Sequence, residues 1–448
     1  MKDTIVAIST PRGFGGIGIV RLSGDEALTI AQKIFSKKIA KPRYALYGAV
    51  FDPITKAEID TAVVTYYKAP HSYTGEDVVE ISMHGGIKNL EMVLNLLISL
   101  GAQMAEKGEF TRRAVLNGKM DIFEANAVVE LIEAKTEKAV LLSSKRLFGE
   151  LSEDVKNIRN KILAVNSQIE ASIDFPFDVE EVDKNTVRDA LESISSEIKK
   201  LLMSYNESRV VLDGVRVTIV GKPNVGKSTL LNALLKFDRA IVSEIPGTTR
   251  DTVEETVDFY GIPMKIIDTA GIRDSNDALE KLGIERSKRA VETSDLILFV
   301  FDASTPLDDS DLELLDFTNG KQRIIVVNKT DLPKAFSEDE LKKIIKGEEI
   351  IEISALLKEG IDKVEDEIKK RLINIDFDSA FVTNKVEFDI LNSALSHIIA
   401  GLDLLKTGTL DLVTEELREA IEILGAVSGE ALSSEILDTI FSRFCIGK

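Results

Sequence analysis

The chain has 448 residues, roughly three times what a single domain usually takes, so about two to four domains are expected. Hydrophobic residues make up 44% and charged residues 29%, with 10 Pro and 28 Gly, which excludes collagen-like, low-complexity and wholly disordered chains. The formal charge of -19, from 56 Lys and Arg against 75 Asp and Glu, argues at first sight against a protein that holds RNA or DNA by its phosphates.

The first residues, MKDTIVAISTPRG, lack the apolar core of a signal peptide. Residues 1–118 then read as mixed β and α. Short β-branched runs, TIVAI (4–8), GIGIVRL (16–22) and TAVVTYY (61–67), are separated by Gly, Pro and Asp clusters. The charge-free apolar run between Glu91 and Glu106 is shorter than the ~20 residues a membrane span needs. From Leu147 the apolar positions Leu151, Val155, Ile158, Ile162, Val165 and Ile169 fall on one helical face. DFPFD (174–178) interrupts that helix, and a second follows through Val187, Leu191, Ile194, Ile198, Leu201 and Tyr205. The same period returns in Leu391, Leu395, Ile398, Leu402 and Leu405, and again in Leu417, Ile421 and Leu424.

Between the two helical stretches the apolar runs are short and nearly continuous: VRVTIV (215–220), MKIID (264–268), LILFVFD (296–302), RIIVVN (323–328) and EIIEIS (349–354). Such runs suit buried parallel strands with helices between them. The expected fold class is therefore multidomain α/β. An α+β N-terminal domain (1–118) precedes an all-α domain in two parts (119–212 and 378–448), which an α/β domain (213–377) interrupts. The single cysteine, Cys445, excludes an intrachain disulfide. Three scattered histidines, His71, His84 and His397, cannot build a Cys/His zinc site, and a cytoplasmic protein with no membrane contact is expected.

Just after the first central strand comes GKPNVGKS (221–228), the G-x-x-x-x-G-K-S phosphate loop. Gly221 and Gly226 permit the backbone angles by which Asn224, Val225, Gly226, Lys227, Ser228 and Thr229 surround phosphates. Lys227 reaches the β and γ oxygens, and Ser228 offers a hydroxyl to Mg²⁺. Farther on, Asp268, Thr269, Ala270 and Gly271 form DTAG at a strand end, where Asp268 holds the Mg²⁺ shell through water and the Gly271 N–H faces the γ-phosphate. Between them Ser243, Glu244, Ile245, Pro246, Gly247, Thr248 and Thr249 make a switch loop whose Thr249 is the expected second Mg²⁺ ligand.

Asn328, Lys329, Thr330 and Asp331 form NKTD after another strand. Asp331 can accept from both N1–H and the 2-amino group of guanine, a pair that adenine does not present. Ser354, Ala355 and Leu356 complete the set, with the Ala355 N–H expected near O6. The order and spacing define a Ras-like P-loop GTPase domain that prefers GTP to ATP. One position departs: where Ras-like domains place a water-orienting Gln, this chain has Ile272. Glu280 is the nearest carboxylate that loop closure could bring in, and is otherwise a solvated surface group. Arg250 and Arg273 lie in the switches, but neither spacing marks an arginine finger; Asn224 could bind a monovalent cation in the finger's place.

Outside the G domain, DTIVAISTPRGFGGIGIVRLSG (3–24), SYTGEDVVEISMHGG (72–86), GEFTRRAVLNGKMD (108–121) and FCIGK (444–448) make the whole chain resemble the MnmE (TrmE) family of tRNA-modification GTPases. The resemblance implies a folate-binding, dimerising N-terminal domain and a homodimer whose G domains pair in a potassium-dependent way. It implies K⁺ held by Asn224 with backbone oxygens around Ser243, Ile245 and Thr248, and water oriented by Glu280. Carried over by position, Arg21, Glu80, Lys119 and Lys448 would contact a 5,10-methylene- or 5-formyl-tetrahydrofolate, and Cys445 would be required for modification as nucleophile or proton donor. Gln103 and Lys107 depart from the Arg and Pro that often precede G-E-F-T in the family.

The implied activity is modification, with an FAD-dependent partner of the MnmG (GidA) type in a heterotetramer. Together they add an aminomethyl or carboxymethylaminomethyl group to C5 of the wobble uridine, position 34, of certain tRNAs. The rival reading is an Era- or Der-like ribosome-assembly switch, which calls for an RNA-binding domain after SAL, commonly basic; here the segment after 378 is helical and ends in FCIGK. A Ras-type signalling switch calls for Gln after DTAG and a much shorter chain. The charge divides unevenly: residues 1–118 carry 14 Lys and Arg against 12 Asp and Glu, leaving 42 against 63 for the rest. The acidity thus belongs to the helical and G domains, and the basic tRNA footprint is expected on the flavin partner.

Overall fold

A computed structural model describes residues 3–11, 13–178, 182–237, 254–268, 290–345, 347–372, 381–407, 410–428, 434–442 and 444–448. The chain falls into two compact units, one of Met1–Ile132, Ser144–Leu202 and Val386–Lys448, the other of Glu133–Ser143 and Met203–Lys385.

In the first unit, strands β1 (Ile5–Ile8), β2 (Gly15–Ser23), β3 (Leu46–Phe51), β4 (Glu58–Tyr67), β5 (Val78–Gly85) and β6 (Gln103–Met104) form one sheet in the order β3-β4-β5-β2-β1-β6. Only the β1–β6 pair is parallel. Period-two alternation sends Val20, Leu22, Val64, Tyr66, Val79 and Ile81 to the core against helices α1 (Ala27–Ile34) and α2 (Ile87–Ser99). The same alternation leaves Arg21, Tyr67 and Glu80 on the opposite face. A third helix, α3 (Glu109–Leu116), follows β6.

The helical part of this unit follows the sequence periodicity. All six apolar positions from Leu151 to Ile169 are buried in the helix Glu150–Asp174, and Leu417, Ile421 and Leu424 are buried in Leu410–Gly425, which packs along it. Among the described residues, Lys385–Lys406 has the length and hydropathy of a membrane span. Its Leu391, Ala394, Leu395, Ile398 and Leu405 are buried against the rest of the unit. Near its start a buried ion cluster crosslinks three helices: Arg146 meets Glu130 at 2.5 Å and also pairs with Glu387, with Arg146 and Glu387 both excluded from solvent.

In the second unit, strands β7 (Val215–Val220), β8 (Glu254–Phe259), β9 (Ile262–Asp268), β10 (Leu296–Asp302), β11 (Arg323–Asn328) and β12 (Ile350–Glu352) run in the order β12-β11-β10-β7-β9-β8. The expected runs form the parallel part, and β8 adds an antiparallel edge strand. Every residue of β10 is buried, as both-sided helical cover requires. The multidomain α/β architecture is the one the periodicities imply.

Candidate nucleotide site and a second charged cluster

The nucleotide motifs gather at the carboxyl ends of the parallel strands, where an open α/β sheet leaves its crevice. The phosphate loop leaves β7 and enters the helix Lys227–Phe237. Asn224 takes φ +62° and Gly226 φ +98°, left-handed backbone angles of the kind that let successive N–H groups converge on an anion. A Cβ on Gly226 would run into the Asn328 amide, so only glycine fits. Lys227 is 5% exposed, and its ammonium donates to the Gly221 carbonyl at 2.9 Å and the Lys222 carbonyl at 2.7 Å. Ser228 follows in the first turn. Asp268 ends β9 in register with Ile219 of β7, beside the start of the loop.

Asn328 is the joint of the site. Its Nδ2 donates to the Val225 carbonyl at 2.8 Å, and its Oδ1 accepts from the Ala355 N–H at 2.9 Å. One buried side chain therefore joins the phosphate loop to the SAL segment. Ser354 Oγ donates to Asp331 Oδ1 at 2.6 Å, which fixes the orientation of that carboxylate. Thr330 N–H donates to the Ile353 carbonyl at 3.1 Å, and Leu356 is exposed next to this pair. Lys329 pairs with Asp302 at 2.6 Å. Burial disfavours the Asp302 carboxylate, but bonds from Lys329 and Ser304 outweigh it and hold its pKa below the ordinary value.

The expected residues Ser243, Glu244, Ile245, Pro246, Gly247, Thr248, Thr249, Thr269, Ala270, Gly271 and Glu280, like Arg250, Ile272 and Arg273, lie outside the described residues. The first Mg²⁺ ligand expected here, Ser228, follows the phosphate-loop lysine at the helix start, a position suited to metal beside phosphate.

A second cluster stands on the face of the first unit's sheet opposite α1 and α2. Arg21 and Glu80 are register partners on β2 and β5, and Arg21 donates to Glu80 Oε1 from Nε at 2.9 Å and from Nη2 at 2.7 Å. Tyr67 OH donates to the other carboxylate oxygen at 3.5 Å. The guanidinium lies 5.5 Å from the Tyr73 ring centre and 5.7 Å from that of Phe110. Lys448 lies within the electrostatic range of this pair: burial first, and then the Arg21 charge, lower its pKa, while Glu80 opposes them.

The segment bearing Lys448 is docked on the sheet's margin. Ile446 bridges Lys107, the Gly108 N–H donates to the Cys445 carbonyl at 3.4 Å, and Phe444 is buried against Phe441. Gly447 takes φ +101°, with no room for a Cβ against the Ile8 carbonyl. Cys445 is a free, exposed thiol. Of the four expected folate contacts, Arg21 and Glu80 thus pair directly and Lys448 feels their charges, whereas Lys119 is exposed and lies along Gly75, in the loop after Tyr73. Sequence reasoning did not single out Tyr67, Tyr73 or Phe110. The alternation of TAVVTYY and EDVVEIS could have placed Tyr67 and Glu80 on one face, but the loop and helix that bring the other two rings carry no such signal.

Two family models match the chain, one described as the GTP-binding protein TrmE N-terminus over residues 4–119 and one as the MnmE helical domain over residues 122–445. A tRNA modification GTPase MnmE of Ligilactobacillus salivarius is 43% identical over all of this chain and 98% of its own length. That of Thermoanaerobacter pseudethanolicus is 44% identical over all of this chain and 99% of its own length. Among solved structures, a point variant of Aquifex aeolicus Era bound to GDP.AlF4- is 31% identical over 42% of this chain and 65% of its own, with a TM-score of 0.30.

Proposed function

The chain belongs to the MnmE family of tRNA modification GTPases, and on that premise we propose how its two sites divide the work. It is a GTP-hydrolysing enzyme of tRNA modification that binds GTP with Mg²⁺. The proposed nucleotide residues are Asn224 to Thr229, Ser243 to Thr249, Asp268 to Gly271, Asn328 to Asp331 and Ser354 to Leu356. Lys227 would neutralise the phosphates and Asp331, held by Ser354, would select guanine. Ser228 and Thr249 would hold Mg²⁺. With Ile272 unable to orient water, Glu280 takes that part, and K⁺ on Asn224, Ser243, Ile245 and Thr248 supplies the charge an arginine finger would otherwise bring.

The second site is proposed to bind a reduced folate through Arg21, Glu80, Lys119 and Lys448. The observation that carries this reading is the Arg21–Glu80 pair bordered by Tyr67, Tyr73 and Phe110, with Lys448 within range of its charges. Such a group suits a flat, polar-edged ring with an anionic tail. The bound folate would supply the one-carbon unit. Cys445 lies three residues from Lys448 on the docked segment and is the proposed nucleophile or proton donor. The sheet face with Arg21 and Glu80 also exposes Ile17, Tyr47 and Val63, an apolar surround suited to a second copy of the chain.

The full proposal is a cytoplasmic homodimer acting with an FAD-dependent MnmG-type partner on C5 of the wobble uridine, the G domains opening and closing through the GTP cycle. Residues 1–118, the inserted 213–377 and the flanking helical parts would serve folate, GTP and coupling respectively. Titration with 5-formyl-tetrahydrofolate tests the second site: Arg21→Ala and Glu80→Gln should each weaken binding at least about tenfold, the order expected for a charge-assisted contact. Unchanged affinity in both variants would refute the folate assignment.

A further inference from the structure

The phosphate loop is fastened to the second unit at a point outside the nucleotide motifs. Lys222, second in GKPNVGKS, places its ammonium 2.9 Å from Asp308 Oδ2 and 2.7 Å from Asp311 Oδ2, with the lysine side chain 17% exposed. Both carboxylates are already held by main chain. Asp308 caps the helix Asp309–Phe317, its Oδ1 accepting from the N–H groups of Ser310 at 3.0 Å and Asp311 at 3.2 Å. Asp311 Oδ2 accepts in return from the Asp308 N–H at 3.1 Å. This reciprocal capping box sets the acceptors before Lys222 arrives.

The main-chain end of Lys222 faces the chemistry. Its carbonyl is one of the two oxygens that receive the Lys227 ammonium, at 2.7 Å, and the other belongs to the adjacent Gly221. A continuous path therefore runs from the capping box through the Lys222 side chain and carbonyl to Lys227. We infer that Lys222 is a positioning residue for GTP hydrolysis: anchored to Asp308 and Asp311, it fixes the carbonyl that aims Lys227 at the phosphates.

A direct phosphate contact by Lys222 fits less well, because two carboxylates already share its charge. A solvated surface pair fits less well too, since Asp311 is 5% exposed and the lysine largely shielded. Burial alone would lower the Lys222 pKa, yet the bonds to Asp308 and Asp311 hold it above the ordinary value, so the bridge stays charged.

The test uses the purified full-length chain. Lys222→Met should raise the KM for GTP and the GDP release rate about tenfold, the loss expected for one charge-assisted contact, while kcat changes less. Lys222→Arg, able to span both carboxylates, should return KM to within about threefold of wild type. Asp308→Asn keeps the cap but removes one charge, and should raise KM about threefold. In Lys222→Met/Asp308→Asn the losses should overlap rather than multiply. Wild-type KM and GDP release in a folded Lys222→Met protein would overturn the inference, as would multiplying losses. Should Lys222→Met fail to fold, an unchanged KM in Asp308→Asn overturns it.

Discussion

Asp331 and Gly226 give the sharpest single-residue tests of the proposed nucleotide site. Asp331 is held by the Ser354 hydroxyl through Oδ1, and if it reads the guanine edge as proposed, Asp331→Asn should lose GTP affinity by about a hundredfold or more and gain xanthosine triphosphate, whose 2-oxo group accepts from the new amide. Competition between the two nucleotides in a binding assay reads this out, and unchanged preference would remove Asp331 from base recognition. Gly226→Ala meets two obstacles at once, φ +98° and the Asn328 amide. The substitution should cost roughly 1–2 kcal/mol of local strain and displace Asn328 from Val225 and Ala355. Nucleotide binding should then fail while circular dichroism stays near wild type.

At the scale of elements, the docked segment 444–448 and the buried ion cluster behave differently. Gly447→Ala opposes the Ile8 carbonyl at a positive φ, so it should release Lys448 from Arg21 and Glu80. Folate affinity should fall about tenfold, as for loss of one charged contact, while GTP turnover persists. Retained folate binding would mean that the segment is dispensable for it. Arg146→Met leaves Glu387 buried without its cation and should cost about 3–5 kcal/mol in urea unfolding.

The sequence made some elements plain and others obscure for physical reasons. The long helices were legible because Leu151 to Ile169 and Leu391 to Leu405 repeat with the helical period, and the parallel strands because burial on both faces makes them continuously apolar. Strand β8, EETVDF, is a polar edge strand and carries little such signal. In the nucleotide site, the phosphate loop, NKTD and SAL were readable as strings. Asn328 as their joint and the Lys222–Asp308–Asp311 bridge depend on contacts between residues far apart in the chain. Arg21 and Glu80 became a pair only through the β2–β5 register, which neither strand reveals alone.

At the scale of the whole molecule, GTP hydrolysis belongs to tRNA modification. If K⁺ takes the arginine finger's place, GTP turnover should be faster in KCl than in NaCl at equal ionic strength, and equal rates would remove Asn224 from cation binding. With a formal charge of -19, binding of tRNA by this chain alone should be weak and fall steeply with salt. The most direct measurement is mass spectrometry of tRNA nucleosides from a strain lacking the protein, re-supplied with wild type or with Cys445→Ser. Removal should abolish the C5-aminomethyl-type wobble uridines, wild type should restore them, and Cys445→Ser should not, despite normal GTP turnover. A nucleoside profile unchanged by removal of the protein would contradict this.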